Sequence, residues 1–525
     1  MDRRIFLRLL GITASVSLTR LPAWATGEDD PQLPFRPLAP GNQDILEVVT
    51  GMEWQRLIMW EEVINKSGET FGFNNDYLAF LPLDETEEDG LLWVNHEYAD
   101  PLMISSRAHK SIPTKEQALM ESYAVGGSII RIKLGESGKW EMTQEGDYNR
   151  RISGRTPIPF SGKVPIAGSF EAIGMVGNCA GGITPWGTIL TCEENYDACY
   201  GEHSRQPDGS YRYKPSSLGW HLHFPYPPEH YGWVTEVEVR TGKARKLVSL
   251  GRVAHECATY AKAKNGKAVI YSGEDANNEC LYKFISDSND SLVNGQLYVA
   301  NLALGEWIPV SHSKQEALKD NFIDQTEVLI RLRDAAKLIG GTPLDRPEDI
   351  EIHPENGDVL IALTNNKPKG NHFGSILKIK EENADPGALK FTHETYMMGG
   401  KETGFACPDN LAFDPAGNLW FTSDMSGMGA EPYTDFGNNS LFVVPVKGPA
   451  AGSVIRIANA PKDAEFTGPF FHPSGKYLFL SVQHPGENSP SREQLTSTWP
   501  LGGGQIPRPS VVVLSGPVLE YFTLS

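Results

Sequence analysis

The chain has 525 residues and a formal net charge of −19, long enough for several domains or one large repeat architecture. An acidic chain of this kind excludes a nucleic-acid-binding surface of the ordinary basic type, and it repels an anionic substrate unless bound cations reverse the local field. The 52 glycines and 37 prolines suit many short strands joined by turns, and six cysteines (Cys179, Cys192, Cys199, Cys257, Cys280, Cys407) are too few for a disulfide scaffold in so long a chain.

The first 25 residues read as a targeting segment. Asp2-Arg3-Arg4-Ile5-Phe6-Leu7-Arg8 resembles a twin-arginine export motif, a mildly apolar run follows from Leu9 to Leu18, and Ala23-Trp24-Ala25 offers a cleavage site. The apolar run is too short and too polar for a stable membrane span. The expectation is a protein exported already folded by the twin-arginine translocation machinery, to the periplasm or the outside of the cell. Residues 26–45 carry several prolines and read as an extended leader, which leaves 46–525 for a single folded domain.

From there a unit repeats: a turn with glycine, a short apolar β-run, then a polar cluster. The copies begin at Gly90, Gly187, Gly266, Gly357, Gly417 and Gly475, and they end at His96-Glu97, Glu193-Glu194, Glu274-Asp275, Asn365-Asn366, Asp424 and Gln483-His484. Six copies of one β-unit predict an all-β fold, a six-bladed β-propeller with helical and loop insertions. One insertion reads as helical, over Ser313–Asn321 and Thr326–Ile339, stopped by Gly340-Gly341 and packed outside the ring. The closing run, 508–515, is a final strand suited to shutting the ring where first and last blades meet.

Eight to fourteen residues before each repeat glycine stands a metal-capable side chain: Asp76, Cys179, Glu256, Glu348, Asp409 and Glu465. The first strand of a propeller blade lines the channel, so these six positions form a ring at one channel mouth. The stretch 177–195 adds Glu194, two residues past Cys192, and the first copy adds Glu97. Acids and a thiol crowded into one ring cannot all ionise unpaired. The oxygen donors select hard cations such as Ca²⁺ and Fe³⁺, and the thiolate argues for a transition metal at one position. His96, His255 and His484 fall near the ring as neighbours or ligands. No G-x-S-x-G elbow, H-E-x-x-H, CxxC pair or Walker loop is present, which leaves metal-assisted hydrolysis as the chemistry the residues support.

Several stretches together resemble the PhoX-type alkaline phosphatases, an exported family. They are Phe71–Phe80, Trp93–Tyr98, Asn149–Ile152, 177–195, Gly251–Glu256, Asp345–Glu348, Thr467–Pro469 and Gln483–Glu487. The resemblance implies a propeller phosphomonoesterase that uses an iron and calcium cluster at the channel mouth to release phosphate from small organic esters. By position, Cys179, Glu194, Glu256, Glu348, Asp409 and Glu465 would be metal ligands, with Asp76 and Glu97 joining them, and Arg155, Arg252 and Arg346 would grip phosphate oxygens. Asp349 stands after Glu348 where the family leads us to expect tryptophan. The competing readings are a calcium-dependent propeller lactonase, which needs no thiolate, and a non-enzymatic binding propeller; a monomer is expected in each case.

Overall fold

The computed structural model describes residues 33–426 and 429–524. The expected export segment lies outside them, and no helix among the described residues is long and apolar enough to cross a membrane.

Six antiparallel sheets follow one another along the chain and form six blades. Their inner strands are Asn75–Pro82, Asn178–Ile183, Thr259–Lys262, Pro347–Ile352, Pro408–Phe413 and Glu465–Phe471. Each repeat glycine falls at the hairpin that joins an inner strand to the second strand of its blade, so the six copies in the sequence are the six blades. The second strands, such as Ala268–Gly273 and Leu419–Ser423, are buried throughout and mostly apolar rather than alternating. The cause is burial on both faces: Leu92 and Val94 of the first blade face the sixth, whereas Leu91 and Trp93 of the same strand face the second. Six such apolar seams, one between each pair of neighbouring blades, make up the ring's core.

The ring is closed by both ends of the chain. Ser510–Ser515 pairs with Tyr477–Gln483 on one side and with Glu53–Met59 on the other. The sixth blade thus takes three strands from the end of the chain and its outer strand from the beginning. A second clasp sits beside it, where Glu47–Val48 pairs with Ile455–Asn459 on the outer edge of the fifth blade. The leader runs along the fifth blade from residue 33, with Leu33, Phe35 and Leu38 packed on the seam between blades five and six.

The insertion after the third blade is helical, as expected, but in three pieces: Glu316–Asn321, Gln325–Ile330 and Leu332–Leu338. The single segment expected over Thr326–Ile339 is broken at Arg331 (φ −107°, ψ 37°). Its apolar residues, including Val328, Leu332 and Ala336, are buried on the seam between blades two and three. Two further helices, Pro101–Ser105 and Lys115–Ala124, lie inside the first blade's insertion. The second of them starts at a Thr114–Gln117 capping box. All six cysteines are free thiols.

Candidate metal centre

The six inner strands begin at one end of the channel, and each of the six ring residues sits at or just before its strand's first residues. A recurrent backbone device turns them inward. The residue two positions earlier has positive φ in five blades: Asn74 (45°), Gly177 (66°), Arg346 (54°), Cys407 (51°) and Asp463 (53°). Just beyond, five of the inner hairpins slip register, and in four of them the slip spans the ring residue itself (Asn75/Leu78, Asn178/Gly181, Pro347/Ile350, Pro408/Leu411). A left-handed residue followed by a bulge re-aims one side chain out of the sheet and toward the axis. The strands crowd there: a Cβ on Gly468 would lie 2.7 Å from Tyr77 Cα, so the Thr467-Gly-Pro motif needs its glycine.

Seven carboxylates and the thiol expected as ligands come together. Asp76, Glu97, Cys179, Glu194, Glu348, Asp409 and Glu465 line one cavity of about 200 Å³. Glu256 lies against its wall, with Oε1 3.2 Å from Cys179 Sγ, and Asp76 Oδ2 is 3.5 Å from the same sulfur. Three overlapping sets have donor atoms within 4.8 Å of one another: Asp76–Glu97–Cys179, Cys179–Glu194–Glu256 and Glu256–Asp275–Glu348.

A buried ion pair fixes this part of the wall. Glu193, beside Glu194, accepts from Lys246 Nζ at 2.8 and 2.9 Å and from the backbone N–H groups of Val176, Gly232 and Trp233. Its backbone carbonyl accepts from His255 N, next to Glu256, and Glu194 N donates to Gly177 O. One carboxylate thereby ties together the three segments that deliver Cys179, Glu194 and Glu256. On the opposite side Gln483 Nε2 donates to Asp76 Oδ2 (3.1 Å) and Glu97 Oε2 (2.6 Å), and Asn195 Nδ2 donates to Glu97 Oε1 (2.9 Å) and to Glu194 Oε2.

The electrostatics are those of negative charge packed out of water. Burial, and behind it Glu97 and Glu465, hold Asp76 well above the ordinary carboxylate range. Burial followed by neighbouring acids does the same to Glu194, Glu256, Glu348 and Asp409. Glu465 is pushed up to about 8, chiefly by burial, and the Cys179 thiol is raised by burial, Asp76 and Glu256. Asp275 is the exception: against its burial, the Arg346 fork (Nε–Oδ1 and Nη2–Oδ2, both 2.8 Å) holds it below its usual value.

Of the three arginines expected to meet phosphate, Arg346 lines the cavity. Arg252 does not. It is buried at a neighbouring pocket, where it pairs with Glu202 at 2.8 Å. Arg155 is exposed on the turn after Arg150–Ser153 and is not among the lining residues. His96 and His255 are structural. Their rings bond Ser128 Oγ, and Ser272 Oγ with Gly251 O, respectively. His484 does reach the cavity, 3.1 Å from Glu465 Oε1. Asp349 accepts from Ile350 N and Leu411 N in the channel wall instead of taking part in the ring.

The sequence reading passed over Asp275, Asp424, Asn195 and Tyr98, all of which line the cavity. The signal for the two aspartates was present: they end the same β-run that ends in Glu97 and Glu194 elsewhere.

Residues 33–486 match the family model described as alkaline phosphatase PhoX. No curated protein sequence matches the chain. Among solved structures, PhoX of Pseudomonas fluorescens, in complex with the transition-state analogue vanadate, is 29% identical with a TM-score of 0.82, over 92% of this chain and 98% of that one. A gluconolactonase from Xanthomonas campestris is 10% identical with a TM-score of 0.36, over 92% of this chain and 99% of that one, and carries no argument about chemistry here. A structural match over nearly the whole of both chains, with a family match across the propeller, makes this chain a member of the PhoX alkaline phosphatase family and a phosphoric monoester hydrolase.

Proposed function

We propose that the cavity holds a mixed iron and calcium centre and that phosphate monoesters are hydrolysed against it. The observation that supports this reading most directly is the state of the buried oxygens. Asp76 Oδ1, Glu256 Oε2 and Glu465 Oε2 are buried without a hydrogen-bond partner among the described residues. Leaving such groups unmatched costs several kcal/mol for each charge, whereas cations satisfy them. Carboxylate oxygens suit calcium and ferric iron, and a lone thiolate suits iron. Asp76, Glu97, Cys179, Glu194, Glu256, Glu348, Asp409 and Glu465 would hold the ions. When bound, they supply charge neutralisation of the phosphoryl oxygens and an activated nucleophile at neutral pH.

The chain's own residues have separable tasks in this reading. Cys179 must give up the proton that its sulfur shares with Asp76 and Glu256 before it can act as a ligand. Arg346 is held by Asp275 along one edge, and its Nη1, 3.5 Å from Asp424 Oδ2, is the edge left to grip a phosphoryl oxygen. Gln483 and Asn195 keep Asp76, Glu97 and Glu194 turned into the cavity. Small phosphate esters fit a cavity of this size, and a monomer exported folded by the twin-arginine route to the periplasm or beyond completes the reading.

The test is elemental analysis and visible absorption on protein loaded in its native host, beside hydrolysis of p-nitrophenyl phosphate. Iron with calcium, and a thiolate-to-iron band that vanishes in Cys179→Ala together with at least a hundredfold of kcat/KM, is the expected result. Calcium alone, without colour and without dependence on Cys179, would remove iron from the reading.

A further inference from the structure

Beside the metal cavity lies a second pocket of about 190 Å³. In a chain of net charge −19 it is lined by four guanidinium groups, those of Arg205, Arg252, Arg331 and Arg333. Carboxylates orient three of these groups, Arg252, Arg331 and Arg333. Arg252 uses Nε on Tyr231 O and Nη2 on Glu202 and Pro228 O, and lies over the Tyr196 ring at 4.7 Å. Arg331 uses Nη2 on Glu229 at 2.7 Å and stacks over Tyr211 at 4.2 Å. Its Nη1 is buried with no hydrogen-bond acceptor among the described residues; the nearest carboxylate oxygen, Glu202 Oε1, is 4.0 Å away. Arg333 bonds Glu274 through Nε. Arg205 donates through Nη2 to Asn321 Oδ1. The pocket is also lined by the carboxylates of Glu202, already engaged by Arg252 and Tyr196, and of Asp334, which accepts from Tyr211 Oη, so four guanidinium groups face two lining carboxylates.

Chain neighbours connect this pocket to the metal cavity: Tyr196 lines the pocket, and Arg333, which also lines it, bonds Glu274. Tyr196 follows Asn195 in the chain, and Glu274 precedes Asp275; Asn195 and Asp275 both line the metal cavity. Stacked, pre-oriented guanidinium forks converging from several directions match an oxyanion with several lone pairs, and they lose little freedom when they bind it.

We propose that this pocket is a second oxyanion site, for a phosphate-class group, at the flank of the metal cavity. The group has two possible sources: a second phosphate carried on the leaving-group side of a bound ester, or free inorganic phosphate. The first source rests on the phosphatase reading; the second does not.

The experiment uses loaded holoenzyme, Arg331→Gln and, because a buried arginine can be needed for folding, Arg205→Gln at the half-exposed rim. Kinetics are measured on p-nitrophenyl phosphate and on alkanediol bisphosphates of increasing chain length against the matching alkyl monophosphates. Binding of radiolabelled phosphate is counted by equilibrium dialysis. A substrate-borne group predicts a KM for some bisphosphate at least tenfold below that of its monophosphate, an advantage lost in either variant while p-nitrophenyl phosphate is unaffected. A free-phosphate site predicts one more phosphate per wild-type chain than per Arg331→Gln chain, with the bisphosphate KM values unchanged. Equal phosphate counts together with no bisphosphate advantage in wild type would overturn the proposal. Loss of p-nitrophenyl phosphate hydrolysis by wild-type protein would strike the phosphatase reading instead, and the dialysis count would still decide this one.

Discussion

Asp275 and Glu348 both meet Nη2 of Arg346, and the same burial has opposite outcomes for them. Asp275 takes two guanidinium bonds and ends below its ordinary value. Glu348, with burial and then Asp275 acting on it, ends well above, although Arg346 Nη2 is 2.6 Å from its Oε1. Arg346→Lys removes the planar fork, so Asp275 loses its bidentate partner and the phosphate loses an edge. A fall in kcat/KM of roughly a hundredfold is expected, the scale for groups that orient metal ligands, in steady-state assays with metal content measured alongside. The raised acids also set a pH dependence. A carboxyl group whose folded pKa lies above its unfolded one binds protons more tightly in the fold, so its contribution to stability is full below the unfolded value and is lost as pH rises through the folded value. For protein stripped of metal that window opens in the ordinary carboxylate range and extends through about 8, where Glu465 titrates. Bound cations replace those protons. Thermal melts should therefore show EDTA-treated protein losing stability from about pH 5 to 8, on the order of a few kcal/mol, while loaded protein stays level. Parallel curves would mean that cations do not occupy the acids.

At the scale of elements, two devices make the centre: the left-handed residue with its register slip, found at every ring position but Glu256, and the Lys246–Glu193 pair, which serves Glu256 and its neighbours. Lys246→Met strands a buried carboxylate among donors chosen for a charge; it should destabilise the fold by about 3–5 kcal/mol and lower metal occupancy, read by denaturant titration and elemental analysis. Asp463 (φ 53°) offers a test of the backbone device. Asp463→Gly should be tolerated, whereas Asp463→Val should cost about 1–2 kcal/mol, because a β-branched residue resists the left-handed region. These same elements show what could be read in advance. The second strands were legible because burial on both faces makes them mostly apolar, and the repeat glycines marked every inner hairpin. The ring acids were legible because each stands eight to fourteen residues before such a glycine. The left-handed positions were only partly visible: Gly177, Asn74 and Asp463 are residue types that accept positive φ, but Arg346 and Cys407 are held there by the surrounding ring, and no local preference announces it. Arg252 misled for a related reason, since nothing in Gly251–Glu256 reveals that Glu202, about fifty residues earlier, will claim its guanidinium. Asp275 and Asp424 were overlooked although the repeat had placed them.

For the whole molecule, closure decides whether the centre exists. Glu465 lies on the inner strand of the sixth blade, whose outer strand, Glu53–Met59, pairs with Ser510–Ser515. Deleting Glu53–Met59 exposes the long edge of Ser510–Ser515, which invites pairing with another chain. Such a protein should elute as larger species in size-exclusion chromatography and carry little metal, whereas trimming before residue 33 should leave both measurements unchanged. The clasp also orders events in time. Synthesis makes Glu53–Met59 more than four hundred residues before Ser510–Ser515, the strand that receives it. A chain still on the ribosome has acids but no ring, and a prematurely terminated product never acquires one. Metal capture is therefore a test of completeness: only a finished polypeptide can pass it, and a truncated copy is left without the ions that would make it active.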